Sequence, residues 1–163
     1  MRASILAGAL VVGLVVAGCD ARQPDTAPDT TTATSVPALA PRDAAREVLK
    51  DFNVELPADA EQIRVVEPPL EDFRAKGFVS FTAPRQQVID QTCRGLKNVY
   101  PDVRPLLTDT DFAGQILTYA GVTIDRTQYG YCDQRERGRS VLVLVPRAEG
   151  ATTYVVVIHE PSR

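Results

Sequence analysis

The segment RSVLVLVPRAEGATTYVVVIHE, from Arg139 to Glu160, decides the fold of this chain. It holds two Val-rich runs joined at Ala148, Glu149 and Gly150, and this pattern predicts a β-hairpin. Neither run alternates cleanly between apolar and polar residues, which is typical of central strands covered on one face and partly on the other. The sequence therefore predicts a sheet with central strands here.

Shorter elements precede the hairpin. Apolar residues recur at helical spacing in two segments, and β-branched residues cluster between them. The predicted fold class is α+β, a mostly antiparallel sheet of about five strands with one or two helices on one face. In chain order, the sequence predicts a helix capped by Asp43 and ended before Pro57, strands at 61–68 and 76–82, a helix at 84–96, an irregular loop at 97–112, and one bent strand or a strand pair at 115–132.

The N-terminus has the layout of a signal peptide, predicted at residues 1–18. Arg2 gives a positive start, an apolar run extends from Ile5 to Gly18, and polar chain begins at Asp20. The run is shorter than the roughly 20 residues that a membrane-spanning helix needs. We expect this segment to be cleaved.

The residues Val16, Ala17, Gly18 and Cys19 resemble the lipobox of bacterial lipoproteins. The resemblance implies that the Cys19 thiol is alkylated with diacylglycerol and carries fatty-acyl chains such as palmitate. Cys19 then becomes the first residue after cleavage. Multiple acyl chains anchor a protein stably, which places this one at the cell membrane, on the extracytoplasmic face. The alternatives are an ordinary signal peptide with a coincidental cysteine and an uncleaved apolar N-terminus.

A linker separates the predicted anchor from the predicted domain. Residues 19–41 are rich in Pro and Thr and contain no aromatic residue, so they cannot bury enough apolar surface to fold. We expect a disordered tether there. Residues 42–163 have the length of one α+β domain.

Two cysteines remain once Cys19 is acylated. Cys93 lies on the predicted helix face that meets the sheet, and Cys132 ends a predicted strand. Exported proteins permit disulfides, so we predict a Cys93–Cys132 bridge, the alternative being two separate buried thiols.

Composition excludes several functions. The formal net charge of −3 is small and gives no reason to expect a nucleic-acid partner. Asp109 and Asp111 begin a calcium-loop pattern that fails at Ala113 and Ala120, where oxygen ligands belong. Because the chain has one histidine and no free thiol pair, zinc is not expected either. We predict no metal and no cofactor.

No catalytic residue is assigned from the sequence. The single histidine, His159, lies near the end of the last predicted strand, and neither Ser80 nor Ser140 stands in a G-x-S-x-G turn. A glycosidase needs two facing carboxylates, and acidic residues in a surface loop are far more often solvated. The acidic residues weighed for that role are Glu67, Glu71 and Asp72.

An arginine cluster is the strongest candidate for ligand contact. Arg135, Arg137 and Arg139 lie in the sequence DQRERGR, with Arg126 upstream. Interleaved acidic residues favour a solvated hairpin loop. The alternative is contact with anionic headgroups or a wall polymer, because guanidinium groups bind phosphate bidentately.

Across residues 55 to 158 the chain is similar to small actinobacterial lipoproteins that have no assigned activity. The shared features are LP, a Val-rich strand, a strand ending in FTAP, a helix and a late pair of Val-rich strands. This similarity implies fold and location only. The leading hypothesis is a non-catalytic, membrane-tethered binding or interaction module. The alternatives are a small envelope hydrolase and an accessory subunit of an envelope complex, which an exposed apolar patch would indicate.

Overall fold

The computed structural model describes residues 39–67, 75–109 and 111–159. The predicted signal peptide, the predicted lipidation site Cys19 and most of the predicted linker lie outside these residues. The first helix begins at Pro41, one residue before the predicted start of the domain.

Six strands form one antiparallel sheet in the order β1-β2-β6-β5-β4-β3. The predicted α+β class is confirmed, with one strand more than expected. The strands are β1 (Glu61–Val66), β2 (Ala75–Thr82), β3 (Asn98–Tyr100), β4 (Tyr129–Glu136), β5 (Arg139–Pro146) and β6 (Thr152–His159).

The predicted Val-rich hairpin is β5 and β6, and it lies at the centre of the sheet. Successive side chains of a strand point to opposite faces, and here both faces are covered by apolar groups. The lack of clean alternation in the sequence follows from this double burial. On the first face lie Val141, Val143, Val145, Val155 and Val157, and on the second Leu142, Leu144 and Val156.

The first face packs against α1 (Pro41–Leu49) and against the apolar residues that directly follow the short helix α2 (Arg85–Gln87), which itself has no buried residue. A π-helical turn, Val88–Thr92, continues α2, and its last hydrogen bond runs from Cys93 N–H to the Val88 carbonyl at 3.0 Å. Both predicted helices are therefore present, but the N-cap of the first is Ala40 and not Asp43, and the second is shorter than expected. The wider turn brings Cys93 onto the buried side of the segment.

The second face carries α3 (Phe112–Tyr119), so the structure differs from the expectation of helices on one face. The predicted strand or strand pair at 115–132 is wrong in its first part, where α3 stands, and right in its last residues, which begin β4. Short apolar runs do not distinguish strand from helix by themselves. The helical spacing is visible in the buried residues Ala113, Ile116, Leu117 and Ala120.

Strand β3 lies inside the predicted irregular loop 97–112 and forms one edge of the sheet. The turn that follows it is fixed by Arg85, whose side chain donates to the carbonyl of Pro101 at 3.2 Å and to Asp102 Oδ1 at 2.7 Å. The same guanidinium donates to the Pro146 carbonyl at 3.1 Å. One arginine thus ties this edge to the end of the central hairpin.

A disulfide joins Cys93 and Cys132, with their Cα atoms 5.8 Å apart, and it confirms the predicted pair. Both cysteines are fully buried in the core of the first face. The bridge connects the π-helical turn to β4.

Candidate functional site

A polar cleft of about 400 Å³ opens on the first face, beside the hairpin that joins β4 to β5. We call it the hairpin cleft. Phe52 and Val141 contribute its apolar part. Its charged and polar lining includes Asp51, Gln134, Glu136, Arg137, Arg139 and His159.

The hairpin turn consists of Arg137 and Gly138. Both residues have positive φ, 48° and 74°, which is the conformation of a type I′ turn. Asn and Gly favour this conformation, whereas an arginine in the left-handed region is strained by its Cβ. An arginine therefore occupies the tip of the hairpin at a conformational cost.

The structure distributes the predicted arginines among three sites. Arg137 and Arg139 line the hairpin cleft, whereas Arg135 lines a groove on the second face. Arg126 lies elsewhere, beside the cavity under α3. Because side chains alternate between faces along a strand, residues close in sequence at a hairpin need not share a surface.

His159 lines the same cleft as Arg137 and Arg139. The register of β5 and β6 pairs Arg139 with His159, and both line the hairpin cleft. From the sequence pattern, His159 is predicted only as the polar end of a strand, with no relation to the arginines. The pairing of β5 with β6 was predicted, so a register count from the turn was the signal that would have found it.

One of the two carboxylates among the described residues that line the cleft, Glu136, is already engaged. Glu136 accepts a hydrogen bond from Gln134 at 3.2 Å and forms an ion pair with Lys97 at 3.5 Å. Arg139 Nη1 donates to the backbone carbonyl of Asp51 at 3.2 Å, which leaves other N–H groups of its fork available. Within the described part of the chain, no hydrogen bond or ion pair engages the side chain of Arg137 or His159.

The other groups considered from the sequence lie away from this cleft. Ser80 is buried in β2, and Ser140 lines the groove on the second face. Of the carboxylates weighed for a glycosidase, Glu67 is exposed, and Glu71 and Asp72 lie outside the described residues.

The calcium-like segment forms a turn before α3. Asp111 Oδ2 accepts from Thr108 N–H at 2.7 Å, and Thr108 Oγ1 accepts from Asp111 N–H at 3.2 Å. These bonds are the turn chemistry that the sequence favoured over metal binding. No group of three or more metal-ligating side chains is found among residues 39–67, 75–109 and 111–159.

An aromatic row crosses the second face. The Tyr154 ring stacks on Phe78 at 5.9 Å and meets Tyr129 at 5.8 Å, measured between ring centroids. Burial, and then the neighbouring Tyr154, raise the pKa of Tyr129 to about 12.

We expect Tyr129 to ionise apart from the other tyrosines in an absorbance titration. Its folded-state pKa lies above the ordinary value of 10.0, so the fold favours the neutral phenol. This contribution to stability is fully present below pH 10 and is lost as the pH rises toward 12. The Tyr129→Phe variant should lack the late ionisation and should lose less stability over that interval. Identical high-pH titration curves for the Tyr129→Phe variant and the unaltered chain would contradict the assignment.

Comparison of the chain with protein-family models, curated proteins and solved structures finds no match. In the part of the chain that the structure describes, no helix is both long and apolar enough to cross a membrane.

Proposed function

We propose that this chain is a bacterial lipoprotein, anchored through Cys19 to the extracytoplasmic face of the cell membrane, and that its domain is a non-catalytic binding module. The ligand that we assign to the hairpin cleft is a phosphate-class anion, carried by a wall polymer or by a lipid headgroup. The observation that carries the proposal is the convergence of Arg137, Arg139 and His159 on one cleft.

The anchor is supported by the lipobox residues and by the disulfide. Disulfides persist in exported proteins and are rare in the reducing cytosol. The Cys93–Cys132 bridge accounts for the two other cysteines of the chain, which has three in all. Cys19 is then the cysteine that remains for acylation.

Anion binding is supported by the balance of donors and acceptors. Glu136 is engaged by Lys97 and Gln134, so it competes little for the arginines. Arg137 and part of the Arg139 fork can therefore donate to an outside acceptor. Hydrogen bonds between a guanidinium and a phosphate are charge-assisted and roughly twice as strong as neutral ones.

A binding role is favoured over catalysis by a serine, threonine or cysteine nucleophile. Such catalysis needs the hydroxyl or thiol within hydrogen-bonding reach of a base. Among the described residues that line the hairpin cleft, none is Ser, Thr or Cys. His159 therefore has carboxylates and guanidinium groups for neighbours there, and no hydroxyl or thiol to activate.

We expect the Cys19→Ala variant to leave the membrane fraction or to keep its N-terminal segment. Without the thiol there is no attachment point for diacylglycerol, so the acylation step that precedes cleavage fails. Fractionation and intact-mass measurement check this result, with the protein carrying Cys19 as control. A variant that stays fully membrane-bound and is processed at the same site would contradict the anchor.

We expect Arg137→Asn to raise stability and weaken anion binding at the same time. Asparagine relieves the strained turn and should add about 1 kcal/mol to the free energy of unfolding. The variant also removes a guanidinium donor from the cleft, as does Arg139→Gln. Each loss should weaken phosphate binding about tenfold. Thermal unfolding and titration with inorganic phosphate measure the two effects.

Arg135→Gln is the matched control, since it removes the same charge from the same hairpin on the opposite face. Titration with glycerol phosphate, and with vesicles of anionic or neutral phospholipids, distinguishes a polymer from a headgroup as the source of the phosphate. Equal losses in the Arg135 and Arg139 variants would mean that net charge, and not the cleft, attracts the anion.

A further inference from the structure

The two edges of the sheet are protected to different degrees. An exposed edge strand offers unpaired backbone groups, and proteins usually blunt it with charges, bulges or prolines. Strand β1 has such protection, because its register shifts between Glu61 and Arg64 and Gln62 has a φ of 49°. Its exposed side chains include the charged Glu61 and Arg64. Strand β3, with the sequence Asn-Val-Tyr, has neither a charge nor a bulge.

Apolar side chains concentrate at the β3 edge. We call Val99, Tyr100, Val103 and Leu106 the edge patch, and their exposed fractions are 40, 45, 51 and 92%. Among the described residues, only Leu39 and Tyr119 are further large hydrophobic residues with comparable exposure. A hydrogen bond from Val103 N–H to the Tyr100 carbonyl, at 3.1 Å, keeps Val103 next to the strand. An edge protected by neither a charge nor a bulge within its three residues therefore coincides with an apolar patch.

We infer that this edge pairs with the same edge of a second copy of the chain, antiparallel about a two-fold axis. Identical surfaces meet in a two-fold interface. The register that pairs all three residues of β3 sets Val99 opposite Val99, and Asn98 opposite Tyr100. The result is a continuous sheet across two protomers, with Val99 of one copy beside Val99 of the other.

Charge favours the antiparallel arrangement. Lys97 precedes β3 and Asp102 follows it closely. They form ion pairs with Glu136 and Arg85 of the same chain, and their side chains nevertheless remain 61% and 79% exposed. Antiparallel pairing brings Lys97 of one copy toward Asp102 of the other, and parallel pairing would set like charges side by side. Stable interfaces bury about 800 Å² per partner, more than a three-residue strand supplies alone. The dimer is therefore weak in dilute solution and is best detected by trapping it covalently.

The test mixes two variants of the full chain, Asn98→Cys and Tyr100→Cys, each also carrying Cys19→Ser. Opposed residues of antiparallel strands have Cα atoms about 4.5 to 5.5 Å apart, which suits a disulfide. Two copies of one variant would hold their thiols about 8 Å apart, which is too far. We expect a disulfide-linked species of twice the monomer mass in the mixture under mild oxidation, and little in either variant alone.

Adding Val99→Lys to both variants is the control, because it sets two ammonium groups against each other at the two-fold axis. We expect it to abolish the linked species while circular dichroism shows an unchanged fold. Linking that is equal in the mixture and in the separate variants, or that survives Val99→Lys, overturns the proposal. So does the absence of linking at millimolar protein, which would leave the edge free for a strand of a different protein.

Discussion

Replacing Cys93 and Cys132 together with alanine should lower the free energy of unfolding by about 4 kcal/mol. The disulfide closes a loop with a sequence separation of 39 residues, and the chain-entropy model gives this magnitude for a loop of that length. Small domains are stable by only about 5–15 kcal/mol, so the variant should be close to unfolding at physiological temperature.

Denaturant titration of the double variant against the unaltered chain measures this loss. The melting temperature should fall by roughly 15 °C for a domain of this size. Because both sulfurs are fully buried, a reductant should act on the folded protein only slowly and should reduce it readily once denaturant is added. An unchanged denaturation midpoint in the double variant would show that core packing alone holds the π-helical turn against β4.

Gly130→Ala should lower the free energy of unfolding by about 3 kcal/mol. Gly130 is buried in β4, and a Cβ at this position would overlap the backbone carbonyl of Pro101. That carbonyl cannot withdraw freely, because it also accepts a hydrogen bond from Arg85. We expect the turn after β3 to detach from β4, and the β3 edge to lose its pairing.

Gly150→Ala is the control for this substitution. Gly150 has a φ of +69° and no atom near its missing Cβ, so alanine there costs only the backbone strain, about 1 kcal/mol. Chemical denaturation compares the two variants, and hydrogen exchange at residues 98–100 reports the edge. Similar losses for Gly130→Ala and Gly150→Ala would mean that the Pro101 turn adapts without cost.

The helix α3, which the sequence did not predict, shows where local patterns fail to indicate secondary structure. Residues 115–132 read as β-rich because Ile, Val, Thr and Tyr are frequent there, and the helical spacing of Ala113, Ile116 and Leu117 covers barely two turns. A short apolar run takes its conformation from the surface that it covers. The helix α3 buries apolar residues of the second face of the sheet. The sequence of the segment alone does not show that it packs against this face.

Only part of the hairpin cleft was predicted from the sequence, because local patterns do not give the face on which a side chain lies. The arginines were identified from their sequence, but their distribution between two faces depends on which residues form the turn. With Arg137 and Gly138 in the turn, Arg135 and Arg139 point to opposite sides of the sheet. A turn placed one residue away would have reversed every side chain of one strand.

The sequence by itself determined the central hairpin, the α+β class, the cysteine pair and the lipobox-like segment, because each rests on residue types at short spacing. Only the tertiary structure decided that His159 meets two arginines, that α3 covers the second face, and that β3 is an uncharged apolar edge. These features depend on strand register and order, which bring together residues far apart in the chain, and no local pattern encodes such proximity.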